Sequence, residues 1–123
     1  VDCSFCHDKH GYKPDCLNCH SVHIEGQKYE DCLTCHQVHN PLQLAYGSEV
    51  PNRDCGAWHS DLKTTLESGK TKHAEFQCVF CHTDKHGNVP KCVDCHEAPH
   101  NEQMLSKFPS CNDCHQSAHN ILK

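Results

Sequence analysis

The chain has no apolar stretch long enough to cross a bilayer, which would take about 20 residues in a row, and no alternating run of the kind that makes a half-buried strand. It carries one Met and one Trp, and aromatic residues fill only 7% of its 123 positions. The 36% hydrophobic fraction counts all thirteen Cys, and mean hydropathy is -0.76. Without the cysteines, too little apolar material remains to build an ordinary protein core. By composition alone such a polypeptide reads as weakly folding or disordered. An excess of positive charge is missing too. Eleven Lys and Arg against 16 Asp and Glu give a formal charge of -5, so nucleic acid and anionic membrane are poor partners.

What the chain does have is thirteen Cys and fourteen His in a repeated order. Cys-x-x-Cys-His occurs intact six times: Cys3-Cys6-His7, Cys16-Cys19-His20, Cys32-Cys35-His36, Cys78-Cys81-His82, Cys92-Cys95-His96 and Cys111-Cys114-His115. A seventh copy, Cys55-Gly56-Ala57-Trp58-His59, keeps the first Cys and the His but has Trp in place of the second Cys. Every Cys is thereby used. Disulfide frameworks and zinc sites also use Cys-x-x-Cys pairs, but neither needs His immediately after the second position. Thioredoxin-like redox chemistry would need one such motif in a βαβ setting, not seven in tandem. The arrangement is the signature of covalent c-type haem attachment, in which two thiols add to one porphyrin and the next residue reaches the iron.

The histidine count then says how the irons are finished. Seven His belong to the motifs as proximal ligands: His7, His20, His36, His59, His82, His96 and His115. Seven others remain as distal candidates: His10, His23, His39, His73, His86, His100 and His119. Two imidazoles for each of seven haems use the whole His content, so bis-His irons are expected throughout. On that count the Cys55/His59 motif holds haem c through a single thioether, giving seven haems, or six if that site is empty. Met104, the single Met, is not needed as a ligand.

Six of the distal candidates follow a motif His at a fixed step. His10, His23 and His39 come three residues after His7, His20 and His36, while His86, His100 and His119 come four residues after His82, His96 and His115. On a helical turn such pairs share one face. Two axial ligands of one iron must approach from opposite sides, so each distal His is expected to serve a different iron from its neighbour. Each short turn would then bridge two irons.

The chain also repeats itself on a larger scale. Cys3-Ser-Phe-Cys-His-Asp-Lys-His-Gly-Tyr-Lys-Pro-Asp-Cys16 returns as Cys78-Val-Phe-Cys-His-Thr-Asp-Lys-His-Gly-Asn-Val-Pro-Lys-Cys92, with one inserted residue. The organisation expected is a first three-haem module over residues 1–41, a linker with the atypical motif over 42–77, and a second three-haem module over 78–123. Gly11, Pro14, Gly87 and Pro90 should end the turn after the first His of each module, and Pro99 and Pro109 break the second module similarly. Pro41, Gly47 and Pro51 imply an irregular loop in the linker. After it, residues 60–68 read as a helix capped by Ser60 or Asp61 and stopped by Gly69, with His73 just beyond. The fold class expected is mostly irregular with short α-helices, little or no β-sheet, and haem in place of a core. Cofactor binding and folding would then be one event.

These Cys-x-x-Cys-His-x-x-His and Cys-x-x-Cys-His-x-x-x-His blocks, over residues 3–39 and 78–119, are similar to the c3/c7 and doubled-motif families of multihaem c-type cytochromes. The resemblance implies electron transfer along closely spaced, low-potential, bis-His haems in anaerobic respiration, with redox proteins as donors and acceptors. Trp58 departs from the pattern, and the resemblance leaves the full attachment of that haem open. C-type haem is attached outside the cytoplasm, so a removed leader or larger precursor and a periplasmic, extracellular or cell-surface location are expected. Two further readings stand beside the carrier. One is a subunit of a polymeric cytochrome filament or larger complex. The other is a haem reductase of a small nitrogen or sulfur oxyanion, which would need an open position at the Cys55/His59 haem.

Overall fold

In a computed structural model, residues 1–121 are described, and among them the regular structure consists of single turns and short helices. These are α1 (Cys3–Cys6), α2 (Tyr29–Cys32), α3 (Asn52–Gly56), α4 (Ser60–Glu67), α5 (Cys78–Cys81), α6 (Glu102–Lys107) and α7 (Asn112–His115). Three 3₁₀ turns, Cys16–Asn18, Lys72–Glu75 and Cys92–Asp94, lie between them. No strand forms among the described residues, where one isolated bridge joins Gln37 and Asn40. The class is therefore mostly irregular with short helices and no sheet, and no described helix is long and apolar enough to cross a membrane. An isolated helix below roughly 12 residues is marginal in water, so these turns depend on local capping and on what they hold.

The capping is written into the sequence next to the cysteines. Asp2 Oδ1 accepts from Ser4 N at 3.1 Å to start α1, and Asp15 Oδ1 accepts from Leu17 N at 2.9 Å to start the Cys16 turn. Asp31 and Asp94 reach back to Lys28 N and Lys91 N, both at 2.8 Å. Such bonds satisfy donors that a helix start leaves unpaired. Gly11 and Gly87, at the same place in the two copies of the repeat, take φ +80 and +88, where a β-carbon is disfavoured.

Two sequence expectations differ from the structure. Helix α4 begins at Ser60, but its N-cap is His59, with no side-chain capping bond from Ser60 or Asp61. The reason is that α3 runs almost directly into α4: His59 N donates back to Cys55 O at 2.9 Å while His59 O accepts from Lys63 N at 3.0 Å. Gly69 follows the end of α4, and a β-carbon there would meet Leu66 O at 2.9 Å. Second, the motif His and the distal His after it do not share a helical turn. Helices α1 and α5 end at His7 (φ -109, ψ 90) and His82 (φ -100, ψ 80), and the chain leaves through turns.

The chain divides into two compact units, Val1–Ala45 and Tyr46–Lys123. In the second, α3 packs against α4 and α5, and α4 against the Lys72–Glu75 turn. Cys78 N donates to Asn52 Oδ1 at 2.7 Å, and Phe76 stacks on Phe80 with centroids 4.5 Å apart. Apolar burial is minimal. Among the described residues Val50 and Val79 are the buried hydrophobic ones, while Phe5 is 80% exposed and Phe80 62%.

Candidate functional site

All seven motifs close the same backbone ring. The motif His N–H donates to the carbonyl of the Cys four residues earlier: His7 to Cys3 at 2.8 Å, His36 to Cys32 at 3.0 Å, and His20, His59, His82, His96 and His115 to Cys16, Cys55, Cys78, Cys92 and Cys111 at 2.9 Å each. This is one α-type turn. It brings the two cysteines, three residues apart, to one side and delivers the His at its end. The Cys55 motif makes the same ring with Trp58 in place, so the main chain and not the second sulfur sets this geometry.

Three motif imidazoles are oriented by the loop that follows them. His7 Nδ1 donates to Tyr12 O at 2.7 Å, His36 Nδ1 to Pro41 O at 2.7 Å, and His82 Nδ1 to Asn88 O at 2.8 Å. A carbonyl only accepts, so the proton sits on Nδ1 and Nε2 keeps its lone pair. Ligating histidines are commonly held this way. The sequence reading missed these acceptors, which are main-chain atoms five or six residues beyond each His and leave no side-chain signal.

The imidazoles also come together in pairs. His7 faces His39 with ring centroids 6.3 Å apart, and His36 faces His23 at 6.0 Å. In the second unit His59 faces His86 at 5.9 Å, His82 faces His119 at 6.1 Å, His96 faces His73 at 5.8 Å, and His115 faces His100 at 6.0 Å. Each pair joins one motif His to one His outside the motifs, and none joins a motif His to its own successor. His10 and His20 alone enter no such pair among the described residues.

The spacing fits one metal ion between two rings. A His nitrogen sits about 2.0–2.1 Å from zinc and about 1.1 Å from its own ring centre, so two imidazoles in line across an ion have centroids roughly 6.2 Å apart. Direct stacking would bring ring centroids closer: the Phe76–Phe80 pair stands at 4.5 Å. Partial burial, and next to it His82, hold the His119 pKa below its ordinary value and favour the neutral form that ligates. Two imidazoles per ion suit a haem iron, whose other four positions belong to the porphyrin. A structural zinc site needs four protein ligands. Among the described residues no group of three or more His, Cys, Asp and Glu gathers to hold an ion.

All thirteen cysteines are exposed or half-buried. Burial, then the neighbouring Cys16, pushes Cys32 up from its ordinary pKa. Cys92 is raised by burial and then by Cys111, and Cys81 by burial, then Cys95 and Cys78. Cys16 beside Cys32 and Cys92 beside Cys111 are the same juxtaposition in the two copies of the repeat. Thiols of successive motifs therefore lie side by side.

The pairs link the motifs into strings. In the first unit His23, three residues after His20, meets His36, and His39, three after His36, meets His7, giving the order His20, His36, His7. In the second, His100, His119 and His86 connect His96, His115, His82 and His59 in that order, and His73 closes the His96 end. Known protein families, curated proteins and solved structures include none that matches this chain.

Proposed function

We propose that this chain is a multihaem c-type electron carrier or conduit with every motif, the Trp58 copy included, anchoring one haem. Haem c, when bound, supplies the one-electron couple. The chain's residues would hold it: twelve cysteines in pairs and Cys55 singly would form the thioethers, and the motif imidazoles, with the imidazoles that face six of them, would ligate the irons. The observation that carries this reading is the set of six motif/non-motif imidazole pairs at 5.8–6.3 Å.

Irons closed on both sides leave no position for a substrate, and two His ligands give lower potentials than Met/His. The rival reading, an oxyanion reductase at the Cys55/His59 haem, needs an open side there. His86 stands 5.9 Å from His59 and favours the closed form. Partners are redox proteins or further cytochromes, and the attachment chemistry places the product in the periplasm or at the cell surface.

The test is an optical and electron-paramagnetic spectrum of the purified holoprotein, with and without cyanide or nitrite. At least six of seven irons should be low-spin and unaffected by either ligand, with reversible one-electron reduction. Colourless protein, a zinc-bearing mass or sustained nitrite turnover would refute the reading.

A further inference from the structure

We propose that the iron of the Cys16/Cys19/His20 motif receives its second imidazole from His10 of a second copy of this chain. The proposal rests on the haem reading above and deepens it. Among the described residues His20 is the one motif His with no facing imidazole, and His10 is the one remaining imidazole with no motif His to face. Both side chains are exposed.

The internal repeat says why they do not satisfy each other. Aligning the modules places His10 on His86 and His20 on His96. His7 with His39 then matches His82 with His119, and His36 with His23 matches His115 with His100. In the second unit His86 and His96 do not meet. His86 reaches outward to His59, and His96 takes His73, both from the segment before that module. A string in this protein is therefore built with its last imidazole leading out and its far iron served from elsewhere. The first unit has the same two loose ends, His10 leading out and His20 unserved.

Each copy thus carries one donor short of an iron and one iron short of a donor. The two are complementary in number and kind, so a second copy completes both. A contact between two different patches either closes into a ring or extends as a filament.

The holoprotein is measured over a dilution series, following spin state by absorption and paramagnetic resonance and mass by sedimentation. At low concentration one haem in seven should be high-spin and bind cyanide. As concentration rises that fraction should vanish while the mass increases. His10→Ala should keep one high-spin haem at every concentration and stay monomeric, and free imidazole should restore its low-spin spectrum without restoring assembly, which shows the site intact. A monomer that is fully low-spin at all dilutions, an assembly unaffected by His10→Ala, or an iron that stays open at high concentration would each overturn the proposal. Protein without haem would instead overturn the haem reading itself.

Discussion

Withholding haem should abolish the fold. The described chain exposes 10293 Å², whereas a compact protein of 13.9 kDa exposes about 6,700 Å². The difference, about 3,600 Å², is surface the polypeptide cannot cover by itself. With a little over half of it apolar, the uncovered apolar area is about 2,000 Å². With Val50 and Val79 the buried hydrophobic residues among those described, no adjustment of side chains covers an area of that size. The assay replaces both thiols of each intact motif and Cys55 by Ser, or expresses the chain without the haem-attachment machinery. Far-ultraviolet circular dichroism and amide proton dispersion are then compared with the holoprotein. The expected result is a random-coil spectrum with no thermal transition. A haem-free chain that melts cooperatively and keeps the holoprotein's dispersion would refute the argument.

Intact mass under denaturing conditions should show seven covalent haem increments, falling to six in Cys55→Ser, while Trp58→Cys keeps seven and adds a thioether that resists cleavage at the remaining bond. His39→Ala removes the imidazole facing His7, so one more haem becomes high-spin and binds cyanide, with the other spectra unchanged. Asn52→Ala deletes the acceptor of the half-buried Cys78 N–H and should lower holoprotein stability by about 1–3 kcal/mol in denaturant titration. Gly69→Ala forces a β-carbon against Leu66 O and should cost about 1 kcal/mol by the same assay, opposite in sign to a Gly→Ala change at a site whose backbone and space accept Ala.

The local parts of this molecule were legible in the sequence because they are made within a few residues. Cys-x-x-Cys-His closes its own ring, Asp31 and Asp94 cap their own turns, and Gly11 and Gly87 stand where φ turns positive. The cap of α4 differs from the expected Ser60 or Asp61 because capping preferences assume a free loop before the helix, whereas His59 belongs to the preceding ring. The identity of the imidazole pairs lay outside the sequence signal. His7 and His39, or His82 and His119, are brought together by the path of irregular chain, and no periodicity records such a path. Composition did record that the polypeptide lacks a core, since its 36% hydrophobic fraction counts thirteen cysteines.

The self-contained ring at each motif has a consequence for how such molecules change over time. An anchor that draws on no neighbour for its shape can be duplicated, or stripped of one sulfur as at Trp58, without re-solving a packing problem elsewhere. On the proposed reading, the length of such a conductor would be set by tandem copying of its motifs.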